Sequence, residues 1–271
     1  MFPTQSLKST PIAIALALCA AWASPSTAGS APPRASSKLA FCLATTPYPR
    51  IDNHGKPDGP WLARHQSFNA QAAKGGFDVL FVGDSITQAW EGGGKAVWDR
   101  ELAPLKSANF GISGDRTEHV LWRLDYGNLD GKLDPKVIVV MIGTNNTGHR
   151  MDAPDDIAAG IAAIVQRLTT RFPSAHIILH GIFPCGATPA DGKRMNNDKT
   201  NAMIAKLDGS STGHVHYLDI SRLFLDKDGS LPKSLMPDLL HPNPAGYEIW
   251  AQAVVPEIRK LLASSNRGPN R

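Results

Sequence analysis

The chain has 271 residues, 42% of them apolar, which suits one domain of ordinary size with a buried core and excludes disorder over most of its length. Its 28 basic residues exceed the 24 acidic ones only slightly and are scattered rather than gathered into runs, which argues against a nucleic-acid partner.

Residues 1–23 have the form of a secretory signal: Lys8 precedes an apolar stretch from Ile12 to Ala20, and Ala21-Trp22-Ala23 offers a small-residue cleavage site. The mature protein is expected to begin near Ser24 and to be exported, periplasmic or secreted. The apolar stretch falls short of the ~20 residues that span a bilayer, and no later segment reaches that length, so no integral membrane segment is expected. Cys19 raises the alternative of a lipid anchor, but Leu18 stands where a lipoprotein signal wants a small residue. Cys42 and Cys185 remain after cleavage, and pairing or two free thiols are both open in an oxidising compartment.

From Ser24 to Thr46 the chain is rich in Ser, Ala and Pro, which predicts a flexible lead-in. One folded domain is expected over residues 47–263, followed by a small, polar, disordered tail over residues 264–271. Short apolar runs read as buried strands at Asp78 to Val82, Ser107 to Phe110, Val137 to Ile142, Ile177 to Ile182 and Val215 to Leu218. Between the third and fourth, Ile157, Ile161, Ile164, Val165 and Leu168 recur at helical spacing and predict a helix over Asp155 to Arg171. A last helix follows Asn243, a capping residue, with Pro244 in its first turn and Ile249, Ala253, Val254, Ile258 and Leu261 on its apolar face. Continuously apolar strands alternating with helices imply a parallel sheet covered on both faces, an α/β domain of three layers and about five strands.

Ligands in such sheets bind beyond the carboxyl ends of the strands. Polar clusters follow three strands directly: Gly83-Asp84-Ser85, Gly111-Ile112-Ser113-Gly114-Asp115 and Gly143-Thr144-Asn145-Asn146. A fourth, Asp238-Leu239-Leu240-His241, precedes the last helix. Ser85 at a strand-to-helix turn reads either as a nucleophile or as an ordinary cap. With Thr87 two residues on, the Gly-x-Ser-x-Gly elbow of lipase-type α/β-hydrolases is absent. His241 is the best base among nine histidines, because Asp238 lies one turn of chain earlier and can hold one ring nitrogen. Asp219 is the second candidate for that acid. Gly114 can bring a backbone N–H, and Asn145 a side-chain amide, to a carbonyl oxygen gaining charge; as alternatives, both are turn residues. His214 and His216 share a strand face without an acidic or cysteine neighbour, so no metal site is expected there.

Taken together, Gly83-Asp84-Ser85, Gly114, Gly143-Thr144-Asn145 and Asp238-x-x-His241 resemble, in order and spacing, the four blocks of the SGNH/GDSL hydrolases. Within that superfamily the chain is similar, from Asp58 to Leu262, to the catalytic subunits of the intracellular platelet-activating-factor acetylhydrolases. The likeness includes Phe81-Val82-Gly83-Asp84-Ser85, Asn109-Phe110-Gly111-Ile112, His119-Val120-Leu121-Trp122-Arg123-Leu124 and Pro135-Lys136-Val137-Ile138-Val139-Val140. The resemblance implies a flavodoxin-like sheet, no metal or organic cofactor, and hydrolysis of short acyl esters. It assigns Ser85 as nucleophile, Asp238 and His241 as the rest of a triad, and Ser85 and Gly114 N–H with Asn145 as the oxyanion hole. Ile86, Thr144 and Leu240 would line a small acyl pocket. The chain departs from those relatives in its signal segment, in Ser113 where they have glycine, and in an insert from Gly186 to Asn197.

Export points to an acetylated carbohydrate as substrate. A short-chain lipid acetylhydrolase, a lysophospholipase or thioesterase, and a non-catalytic glycan-binding protein are the alternatives. His119 and Arg123 could border the site or pack behind it, Trp90 could wall the cleft or fill the core, and the oligomeric state, a homodimer included, stays open.

Overall fold

The computed structural model describes residues 42–265. The expected signal segment and nearly all of the lead-in lie outside the described residues. Packing begins earlier than the expected Pro47: Ala44 is buried, and its carbonyl accepts a hydrogen bond from Thr117 Oγ1 at 2.8 Å.

Five strands form one parallel sheet: β1 Val79–Gly83, β2 Ser107–Gly111, β3 Val137–Met141, β4 His176–His180 and β5 Val215–Leu218. Their order is β2-β1-β3-β4-β5. The chain moves outward from β1 to β2, then returns to lay β3 on the other side of β1. That reversal creates the crevice beyond the carboxyl ends of β1 and β3 where such sheets take ligands. Register sharpens the edge: Gly83 at the end of β1 is level with Gly111 of β2 and Met141 of β3, so the loops that follow start at one height.

Alternation along the strands divides the core in two. Leu80 and Val82 of β1 and Ile138 and Val140 of β3 point to one face, where they meet Phe68 of α1 (Gly59–Lys74), Val120 of α2 (Thr117–Arg123) and Ile161 and Leu168 of α3 (Pro154–Arg171). Val79 and Phe81 with Val137 and Val139 point to the other, against Trp250, Val254 and Ile258 of α4 (Pro244–Ser265). Trp90 is fully buried in this second layer, its ring 4.6 Å from Tyr247 and 4.9 Å from Trp250, so it fills the core. At the start of α4, the Asn243 side chain accepts the Gly246 N–H at 3.1 Å. The helix runs to Ser265, into the first residues of the expected tail; residues 266–271 lie outside the described residues.

The apolar run predicted to reach Ile182 leaves the sheet at His180. Ile182 stays buried, but its N–H and C=O are both taken by the Asn201 side chain, at 2.7 and 2.9 Å. Two short helical segments complete the site edge. Ser85–Gln88 follows β1, and Thr144–Arg150 follows β3. Among the described residues no helix is long and apolar enough to cross a membrane.

Candidate active site

Ser85 opens the turn of helix after β1, and Asp84 caps it: Asp84 Oδ1 accepts the Ile86 N–H at 3.0 Å. Close packing makes glycine necessary at Gly83, where a Cβ would strike Thr87 Oγ1 and the Met141 carbonyl. From the partner strand, Asn109 Nδ2 donates to the Thr87 carbonyl at 2.9 Å and fixes the same turn. The Ser85 hydroxyl is left at the sheet edge, half-buried, with Oγ 2.9 Å from His241 Nε2.

His241 comes from the loop before α4. Its Nδ1 lies 2.6 Å from Asp238 Oδ2, while Asp238 Oδ1 accepts the N–H groups of Leu240 and His241 at 3.1 and 2.8 Å. Leu239, at φ +60°, turns the chain so that the carboxylate folds back on its own loop. Burial raises the Asp238 carboxyl, but the His241 ring and the two backbone donors outweigh it and hold the group below the ordinary carboxylate range. An ionised Asp238 accepts the Nδ1 proton and leaves Nε2 as the acceptor for Ser85. A hydroxyl, an imidazole and a carboxylate joined in this sequence can move a proton off the serine.

Gly114 sits at φ +78° in the turn after β2. Asn145, second residue of the helix after β3, is 7% exposed and donates through Nδ2 to the Asp115 carbonyl at 2.9 Å, which ties the two loops together. An amide nitrogen carries two hydrogens, and no second acceptor for this one is found among the described residues. Thr144 and Leu240 line a cleft of about 580 Å³ together with Asn145, His149, Lys193, Asp238 and Leu239. Ile86 is not on its wall: the side chain is fully buried in the second core layer, and Tyr247 Oη donates to its carbonyl at 2.6 Å. The inserted segment supplies Gly186, Asp191 and Lys193 to the same cleft. Arg194 anchors that segment by donating to the carbonyls of Cys185 and Gly186 at 2.8 and 2.9 Å.

Asp219 stands apart from His241. It lines a separate cavity of about 440 Å³ with Asp198 and Tyr217, and its Oδ1 accepts the Ser221 N–H. His214 and His216 are joined by His176, whose Nδ1 is 3.0 Å from His216 Nε2. No group of three or more His, Cys, Asp or Glu side chains among the described residues is placed to hold a metal. Among the described residues Cys42 and Cys185 form no disulfide, and burial pushes the Cys185 thiol up to about 11.

Behind these groups lies a buried layer, and Arg123, expected either to border the site or to pack behind it, packs there. Asp115 and Arg123 are both fully buried and paired at 2.8 Å; Asp115 also accepts from Trp61 Nε1 at 2.7 Å, and Arg123 Nη2 donates to the Gly83 carbonyl at 3.3 Å. The pair thus braces the end of β1. Asp84 is fully buried with one oxygen unpartnered, and burial, reinforced by Asp115, pushes its carboxyl up to about 7. The signal for both acids was their place inside the Gly-Asp clusters, although nothing in the sequence separates a buried acid from an exposed one.

Comparison with known proteins agrees with this architecture. The chain is 36% identical to platelet-activating factor acetylhydrolase IB subunit alpha1 of Homo sapiens over 220 residues, 81% of this chain and 91% of that one. It is 40% identical to the alpha2 subunit of Rattus norvegicus over 219 residues, with the same coverage. Among solved structures, a GDSL-like lipase from Bacteroides thetaiotaomicron VPI-5482 superposes with a TM-score of 0.57 at 20% identity, covering 73% of this chain and 97% of that one. An acetylxylan esterase from Geobacillus stearothermophilus gives 0.55 at 20% identity, covering 69% and 96%. Because the model of the GDSL-like Lipase/Acylhydrolase family matches residues 81–249, most of the folded chain, this protein belongs to that family and is a carboxylic ester hydrolase.

Proposed function

We propose that the protein removes acetyl or similarly short acyl groups from an acetylated carbohydrate, with Ser85 as nucleophile, His241 as general base and Asp238 orienting it. The observation that carries this reading is the unbroken chain from Ser85 Oγ through His241 to Asp238, at 2.9 and 2.6 Å. His241 Nε2 takes the hydroxyl proton as Ser85 Oγ attacks the ester carbonyl. The Ser85 and Gly114 N–H groups and the free Asn145 hydrogen receive the oxyanion, each donor lowering the barrier by roughly 3 kcal/mol. His241 then protonates the departing alcohol, and water repeats the cycle to release the acid.

Thr144 and Leu240 are proposed to border the acyl group, with Ile86 backing Ser85 from the core. A sugar is favoured for the alcohol side because His149, Asp191 and Lys193 give the cleft polar walls. The acetylxylan esterase with the same fold acts on a polymer of that kind. We place the enzyme outside the cytoplasm on the strength of residues 1–23.

Hydrolysis of p-nitrophenyl acetate, butyrate and octanoate, wild type beside Ser85→Ala, tests the reading. The expected result is a rate falling with chain length and abolished by the substitution; octanoate as the best substrate would favour a lysophospholipase or thioesterase instead.

A further inference from the structure

Beside Gly114 lies a second cavity, of about 230 Å³, that meets the large cleft at His149. Arg50, Arg116, His119 and His149 line it, and among the described residues no acidic side chain does. Arg50 comes from the segment before α1. Its Nε faces Asp58 at 3.1 Å and its Nη1 donates to the Ser113 carbonyl at 2.8 Å, while Nη2 has no partner among the described residues.

The hydrogen bonds inside this cavity do not close. His119 is 2% exposed, and burial together with Arg116 pushes its imidazole down to about 3, so the ring is neutral with one donor and one acceptor nitrogen. Its Nδ1 accepts the Arg116 backbone N–H at 3.2 Å, which puts the proton on Nε2. Nε2 faces Arg116 Nη2 at 3.2 Å. A guanidinium can only donate, so two N–H groups meet there with no acceptor between them. His149, an exposed residue, adds a second ring: its Nδ1 faces Arg116 Nη1 at 3.4 Å and accepts from it, which puts the ring's N–H on Nε2. Four side chains therefore carry N–H groups along one small space, and no acidic side chain among the described residues lines it to receive them.

We infer that this cavity binds a carboxylate, and that the substrate is an ester whose alcohol part carries a carboxylate close to the esterified hydroxyl, as an acetylated uronic acid does. The inference rests on the esterase reading and names its substrate class. A carboxylate supplies two acceptor oxygens in the plane that guanidinium and imidazole donors favour. The arginines already face acids, Arg50 with Asp58 and Arg116 sharing the buried Glu118 with Arg150, so the cavity offers donors without a large net charge. That balance suits a monoanion better than a phosphate dianion. Since Gly114 borders this cavity and Asn145 borders the cleft, an ester carbonyl held between them leaves the alcohol within reach of the subsite.

The test compares kcat/KM on three acetates, those of methyl glucuronoside, methyl glucoside and sn-glycerol 3-phosphate, with p-nitrophenyl acetate run alongside at constant ionic strength. Wild type is expected to favour the glucuronoside over the glucoside by about tenfold or more, the scale of one charge-assisted hydrogen bond. Arg50→Gln and Arg116→Gln are expected to bring that ratio near one. Arg50→Gln carries the test if Arg116→Gln does not fold, because Asp58 reaches solvent whereas Glu118 does not. Equal rates on glucuronoside and glucoside, or a preference for the phosphate ester, would overturn the carboxylate assignment while leaving the esterase standing. No turnover of any ester, p-nitrophenyl acetate included, would overturn the esterase reading and this substrate class with it.

Discussion

Asp84 places a carboxyl group out of reach of solvent one residue before the hydroxyl that faces His241. Burial lifts it from the 3.8 of the unfolded chain to about 7. Between those values the folded protein keeps a proton that the unfolded chain has released, so this group's contribution to stability declines as pH rises through the window. Asp84→Asn, neutral at every pH, removes that decline. In urea unfolding, the stability of wild type relative to this variant is expected to fall from pH 4.5 to pH 7.5, by at most about 4 kcal/mol. A constant difference would mean that Asp84 ionises normally. Asn145 makes a kinetic prediction at the same scale: Asn145→Ala is expected to lower kcat by about 10²–10³ with a smaller change in KM, because its free hydrogen binds the oxyanion rather than the ground-state ester.

Strands and loops differ in how openly the sequence announces them. β1 and β3 are continuous apolar runs and were legible from that pattern, as was α3, whose isoleucines recur at helical spacing. The helix Thr144–Arg150 was not, since Thr144, Asn145, Asn146 and Thr147 are buried polar residues with no apolar period to read. Ser85, Asp238 and His241 were recognisable because their loops carry distinctive residues at fixed spacing. Arg50 and Arg116 were not, since their importance arises only where the segment before α1 crosses the turn after β2. The brace behind that turn is testable. Arg123→Met leaves Asp115 buried without its charge partner and is expected to cost about 3–5 kcal/mol in chemical denaturation. Adding Asp115→Asn should restore part of the loss, and the two changes adding independently would show that the pair is not coupled.

Across the molecule, the buried titratable groups oppose one another. His119 and His180 are pushed down by burial, to about 3 and about 4, so both stay neutral in the fold and favour unfolding as pH falls below 6.5. Asp84 and Asp115 are pushed up by burial, to about 7 and about 6, and act in the opposite direction over the same range. Stability is therefore expected to change little between about pH 4.5 and 6.5. Below that range it should drop steeply as Glu118 and Asp152, held low by arginines that outweigh their burial, take up protons. Guanidinium titrations at half-unit pH steps measure this directly, and a steep slope through pH 5.5 would show that one set of groups dominates. Two of these groups, Asp84 and Asp115, lie in loops at the sheet edge that also carries Ser85. Incubation with a fluorophosphonate followed by peptide mass mapping asks whether that serine is the reacting atom. One adduct is expected, on the peptide containing Ser85, absent in Ser85→Ala and formed far more slowly in His241→Gln; label on another residue, or ester turnover that survives Ser85→Ala, would contradict it.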